Sequence, residues 1–123
     1  MDYETDDLLV REMKGVTIAR IRNANLDGMM EIQRIKAELE QILQRGVRKL
    51  VIDFKYVKFA GSAALGFLIS TEKKMKELGG TMVVSHAENI DELLRVSHTA
   101  KLFKLAGDPR EAFKTYFGDA ESA

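Results

Sequence analysis

The sequence predicts an α/β fold with a mixed, mostly parallel sheet, an N-terminal hairpin and about four helices. Three observations carry that expectation. Short runs rich in β-branched residues alternate with longer segments of helical period. The run Leu50-Val51-Ile52 is apolar without alternation, as in a strand covered on both faces. Ahead of this alternation, two strand-like segments are joined by Lys14-Gly15, the mark of a tight hairpin. The resulting order is ββαβαβαβα. At 123 residues the chain is expected to be one domain, 1–123, with its core over about 8–117 and frayed ends at 1–7 and 118–123.

Taken in order, residues 8–12 and 16–21 form the hairpin. Asp27 is a candidate N-cap for the first helix, in which Ile32, Ile35, Leu39, Ile42 and Leu43 recur at helical spacing. Burying these five side chains contributes roughly 8–15 kcal/mol gross, at about 1.5–3 kcal/mol each, before entropy is subtracted. Gly46 ends that helix and Leu50-Val51-Ile52 follows as a central strand. A second helix is predicted over 62–78, with Leu65, Leu68, Ile69, Met75 and Leu78 inward and Gly79-Gly80 as its stop. Lys73, Lys74 and Lys76 with Glu72 and Glu77 read as its solvated face. Thr81-Met82-Val83-Val84 is the next strand. Ile90, Leu93, Leu94 and Val96 mark a third helix, entered through Ser85…Glu88 or Asn89…Glu92, both at capping-box spacing. A short strand at 102–105 precedes Asp108-Pro109-Arg110-Glu111, a helix start with N-cap, proline at the first position and glutamate at the third.

Composition removes several function classes. With no cysteine, disulfides, thiolate catalysis and cysteine-held metals are excluded. Lys+Arg and Asp+Glu both number 19, so the basic excess that nucleic-acid binding draws on is missing, and no nucleic-acid partner is expected. The acidic start Asp2-Tyr3-Glu4-Thr5-Asp6-Asp7 reverses the charge of a signal peptide, and no apolar run is long enough for direct membrane insertion. A cytoplasmic location is the expectation. His86 and His98 are too far apart, and too poorly supplied with acids, to suggest a metal site. Asp53 ends an apolar strand, where α/β folds often place chemistry. A phospho-accepting receiver domain would instead open with βα units and carry an acidic pair after its first strand. Asp53 is therefore read as bonding loop backbone. A Ser62, His86 or His98, Asp53 triad fails because Gly-Ser-Ala-Ala lacks the glycine of a nucleophile elbow. Gly79-Gly80 lacks the following Lys-Ser or Lys-Thr of a phosphate loop. No catalytic, metal or cofactor-binding residue is assigned, and the chain is not read as an enzyme.

The segment 49–68, KLVIDFKYVKFAGSAALGFL, is more specific than the topology. It resembles the signature of STAS domains (sulphate transporter and anti-sigma factor antagonist), in which a strand ending in aspartate leads to an Asp-Ser-Ser-Gly-Leu-Gly turn and a helix. The resemblance extends over nearly the whole chain. Asn25-Leu26-Asp27 resembles the family's Glu-Leu-Asp before its first helix, and Gly79-Gly80 with the following strand resembles its passage into the fourth strand. Gly61 stands where the family usually has aspartate, Ala63 where it has a second serine, and Ala64 where it has glycine. Ser62, Leu65 and Gly66 match.

The resemblance implies a STAS-type single domain of the anti-sigma factor antagonist kind. Ser62 matches the serine that is phosphorylated in regulated members. By local chemistry alone it reads as a helix N-cap, and the two roles are compatible, since a helix start also accommodates phosphate. The family's protein-binding face carries over to Asn25, Leu26 and Asp27 and to Gly61, Ser62, Ala63 and Ala64. The implied partners are an anti-sigma factor with serine kinase activity and a serine/threonine phosphatase of the metal-dependent class. A weak homodimer is compatible with the same reading. The alternative is a phosphorylation-independent STAS scaffold or subunit of a stress-signalling or membrane-transporter complex. An enzyme or small-ligand binder of flavodoxin-like architecture has topology alone behind it.

Overall fold

The structure, a computed structural model, describes residues 2–118. The hairpin forms as its sequence dictates: β2 (Leu8–Met13) pairs antiparallel with β3 (Val16–Ile21). Its two turn residues, Lys14 and Gly15, both have positive φ, 55° and 81°. That geometry matches the right-handed twist of the strands it joins. From β3 the sheet continues in parallel through β5 (Lys49–Asp53), β7 (Thr81–Ser85) and β8 (Lys104–Ala106). On the other side, β1 (Asp2–Glu4) pairs with β2, giving the order β1-β2-β3-β5-β7-β8. A separate parallel pair joins β4 (Asn25–Leu26) to β6 (Phe59–Ala60).

The strand β1 corrects the expectation that residues 1–7 fray. Tyr3 packs against the core, the Arg45 guanidinium lies 5.1 Å over its ring, and Asp2 pairs with Arg11 at 3.4 Å. Asp7 is buried, so the core begins before residue 8. At the other end, residues 119–123 of the expected frayed terminus lie outside the described residues.

Three helices cover one face: α1 (Met29–Gln44), α2 (Ser62–Glu77) and α3 (Asp91–Val96), with a 3-10 turn at Ala87–Ile90 leading into α3. All five residues of the stripe predicted for α1 are buried. In α2 the stripe turns by part of a turn. Ala64, Phe67, Leu68, Thr71, Glu72 and Met75 are buried, while Ile69 is exposed and Leu65 and Leu78 are half-buried. Glu72 therefore leaves the predicted solvated face. Its Oε2 lies 3.9 Å from Lys76 Nζ, and Oε1 is buried without a hydrogen-bond partner among the described residues. The other face holds a smaller cluster, Val16, Ile18, Val51, Val83, Ala106 and Ala112, covered by α4 (Pro109–Tyr116). Leu50 and Ile52 point into the first cluster and Val51 into the second, which is why that run carries no polar residue.

Caps explain the helix boundaries. Asp108 caps α4 as expected, accepting from Glu111 N at 2.8 Å. The other three helices have no side-chain cap bond, which corrects the N-caps expected at Asp27 and Ser62. Gly28 and Gly61 hold those cap positions. Neither expected capping box forms, because the Ser85 hydroxyl is bonded to Asp53 and the Asn89 amide to Phe54 O. After α2, Gly80 lets the chain pass close to the preceding strand: a Cβ there would lie 2.7 Å from Arg48 O.

A candidate partner-binding face around Ser62

The two segments singled out in the sequence are far apart in the chain and adjacent in space. In the β4–β6 pair, Asn25 lies opposite Phe59 and Leu26 opposite Ala60. Gly61 N donates to Leu26 O at 3.1 Å, and Lys58 N and Phe59 N both donate to Ala24 O. Phe54 and Val57, both 0 % exposed, anchor the loop that carries β6. The loop is thus fixed at both ends and joined to the entry of α1 by backbone bonds.

Within this frame the seven candidate residues divide. Asn25, Asp27 and Ser62 are exposed, and Gly61 and Ala63 are half-buried. Leu26 and Ala64 are fully buried, so these two hold the face from beneath and offer no surface to a partner. The reason is register: Leu26 follows exposed Asn25 on an alternating strand, and Ala64 begins the buried stripe of α2. Ser62 occupies the first helical position. Amides at a helix start have no intrahelical acceptor, and the first turn of α2 contains no acidic residue. The start of α2 therefore favours an anion at Ser62, with the Asp27 carboxylate nearby as an opposing charge.

Three exposed apolar side chains flank this patch and went unnoticed in the sequence. Phe59 is 54 % exposed, Met29 62 % and Met30 75 %. The signal was present at Met29-Met30, which open α1 before its buried stripe begins at Ile32. Phe59 carried no such signal, because its exposure follows from the pairing with Asn25.

Asp53 is placed differently from the backbone-bonding role expected of it. Its carboxylate is 0 % exposed and meets side chains from two neighbouring strands and the residue beyond one of them. Arg20 Nε donates to Oδ2 at 2.5 Å, Ser85 Oγ donates to Oδ1 at 2.9 Å, and His86 Nδ1 lies 2.5 Å from Oδ1. His86 is thus tied to the sheet and is not a free surface histidine, whereas His98 is exposed. The carboxylate clamps β3, β5 and β7 at their C-terminal ends. Among the described residues, no three His, Asp or Glu side chains come together as a metal site.

Residues 8–112 match the STAS domain family. The chain belongs to the STAS family. As a STAS domain it shares its fold with an anti-sigma-factor antagonist (STAS) domain protein from Planctomyces limnophilus, at 21% identity and TM-score 0.75, covering 88% of this chain and 96% of that one. It is also similar to the anti-sigma factor antagonist SpoIIAA in its unphosphorylated form, at 13% identity and TM-score 0.73, over 90% of this chain and 96% of that one. The phosphorylated form of SpoIIAA, a Bacillus cell fate determinant, superposes with TM-score 0.65 at 13% identity, over 87% and 96% of the two chains. At these identities the likeness is one of fold. No helix among the described residues of this STAS domain is long and apolar enough to cross a membrane.

Proposed function

We propose that this STAS domain is an anti-sigma factor antagonist that binds an anti-sigma factor with serine kinase activity through the face around Ser62, and that phosphorylation of Ser62 weakens the complex. The observation that carries the reading is the position of Ser62, exposed at the first turn of α2 and flanked by Asp27, Phe59 and the β4–β6 pair. Family membership and the shared fold with antagonists support it.

The physical chemistry of the switch is local. A phosphoryl group adds a charge of about −1.5 to −2. Inside the domain it meets the first amides and the positive end of α2, so the fold tolerates it. Outward, it places a dianion beside Asp27 on a surface otherwise rich in apolar side chains. A partner packed on Phe59 and Met30 then has to desolvate that charge, and the complex loosens. ATP belongs to the partner in this scheme, and a metal-dependent serine/threonine phosphatase restores the unmodified serine.

A second reading, a scaffold or complex subunit that works without phosphorylation, is favoured by Gly61, Ala63 and Ala64, which replace the more polar turn the family usually carries. Sterics do not demand this glycine: a Cβ at Gly61 would lie 3.5 Å from Asp27 Cβ, an ordinary contact. What differs is charge, because an aspartate there would add a carboxylate next to Asp27.

The deciding experiment is phosphopeptide mass spectrometry on the protein captured from its native cells, with co-purifying proteins identified in the same run. The expected result is phosphate on Ser62 together with an associated ATP-binding anti-sigma kinase. Ser62→Asp then weakens that complex about tenfold or more, while Ser62→Ala keeps it and abolishes modification. A stable partner with Ser62 unmodified under every growth condition overturns the switch and leaves the scaffold.

A further inference from the structure

The face of the sheet opposite α1, α2 and α3 is only half covered. Helix α4 lies over β5, β7 and β8 and reaches Val16 and Ile18 of β3, while β1 and β2 extend beyond it. The space beside α4 is an open groove of about 1020 Å³. Leu9, Met13 and Ile18 alternate with Arg11 and Arg20 across its floor, Phe113 stands on the α4 side, and Asp2 and Glu4 of β1 line the other edge. Its lining carries five cationic side chains, Arg11, Lys14, Arg20, Arg110 and Lys114, against two acidic ones, Asp2 and Glu4, in a chain whose net charge is zero.

The cations are not equivalent. Arg11 is paired with Asp2 and Arg20 with Asp53, while Glu4 faces Arg22. Arg110 and Lys114, four residues apart on α4 and both exposed, have no ion pair among the described residues. Arg110 sits in the first turn of α4, where the helix dipole disfavours a cation, so the helix itself gains nothing from its charge.

We propose that this groove is a second docking surface, and that its occupant is an amphipathic acidic helix of a partner protein. Leu9, Met13 and Ile18, interleaved with the ion-paired Arg11 and Arg20 and standing beside two uncompensated cations one turn apart, complement a helix with an apolar stripe and Asp or Glu on its flank. The layer logic points the same way. A helix laid beside α4 at the usual spacing of about 8–10 Å completes the cover that this face lacks. The volume lies at the top of the range of about 300–1,000 Å³ typical of small-molecule pockets, and the groove is open along its length. The groove shares no residue with the face around Ser62, so both surfaces can be occupied at once.

The test uses the full chain, labelled with nitrogen-15, and a stapled helical peptide of about 15 residues with a leucine stripe flanked by glutamates. A twin peptide carries lysines in place of the glutamates. The acidic peptide is expected to shift the amide signals of Leu9, Met13, Ile18 and Phe113, while the lysine twin leaves them in place. Arg110→Glu with Lys114→Glu, both on the surface, weakens the acidic peptide about tenfold or more and admits the lysine twin. Ser62→Asp leaves binding unchanged. No shift in the groove at about 1 mM peptide, or equal binding of the two peptides, overturns the proposal. Decanoate shifting these signals where the peptide does not would make the groove a small-amphiphile site. Co-sedimentation with phosphatidylglycerol vesicles without any peptide binding would make it a membrane contact. Either result overturns the helix.

Discussion

Phe59 and Asp53, at the two ends of the loop that joins β5 to β6, act very differently. Phe59 leaves half its ring in water, so truncating it removes little from the fold. Phe59→Ala is expected to change the melting temperature by no more than about 2 °C, while loosening the partner complex about tenfold or more. Calorimetry on both proteins checks this, and a large fall in melting temperature with unchanged affinity would make Phe59 structural. Asp53 is the reverse case. Its carboxylate satisfies Arg20, Ser85 and His86 at once, away from solvent. Asp53→Asn keeps the shape and removes the charge, leaving Arg20 without its counter-ion. Breaking a buried pair costs about 3–5 kcal/mol, and with Arg20 27% exposed the expectation here falls to about 1–3 kcal/mol. Urea denaturation gives the figure, with no change expected in phosphorylation of Ser62.

At the scale of elements, the two-residue pair β4–β6 matters more than its length suggests. It is the piece that makes the entry to α1 and the entry to α2 one surface, and Leu26 anchors it. Leu26→Ala is expected to cost about 2–5 kcal/mol. It should also speed hydrogen exchange at the Gly61 amide, which donates to Leu26 O, and mass-resolved exchange would register both effects. Neither strand of this pair was read from the sequence; the resemblance marked Asn25–Asp27 and Gly61–Ala64 only as a face. Two residues carry no period, so no pattern of alternation announces a strand at Asn25–Leu26. The longer elements were readable because each has one face to bury, as the stripe of α1 shows. The stripe of α2 was misjudged because Ile69 is apolar yet exposed and Glu72 is charged yet buried. Caps were misjudged where a serine or asparagine suited to capping was bonded elsewhere, to Asp53 or to Phe54 O. In the candidate site the two segments meet, but burial removes Leu26 and Ala64 from its surface.

For the whole molecule, the N-terminal segment is fastened to α1 by charge. Burial works to raise the Asp7 carboxyl, but hydrogen bonds from Arg34 and Asn23 and the Arg34 charge outweigh it and hold the carboxyl below its ordinary range. Burial raises Glu38, which accepts from Thr5 and from Asp7 N. The two act in opposite directions. Asp7 contributes stability that is fully present above its unfolded value of about 3.9 and is lost as pH falls through its lower folded value. The contribution of Glu38 is present at low pH and is lost as pH rises through its raised value. Asp7→Asn should therefore destabilise the protein at pH 6, and the gap to wild type should narrow as pH falls from about 4 towards 2. Urea titrations across that range test the sign, and a gap that widens on acidification would refute the assignment. The ends of the sheet carry a further consequence. Its outermost strands, β1 and β8, are only three residues long, and charged side chains stand on both. Short charged edges give other chains little to pair with. On the proposed function the domain has to be present in quantity to occupy its partner, and brief edges of this kind let copies crowd together without joining into a larger sheet.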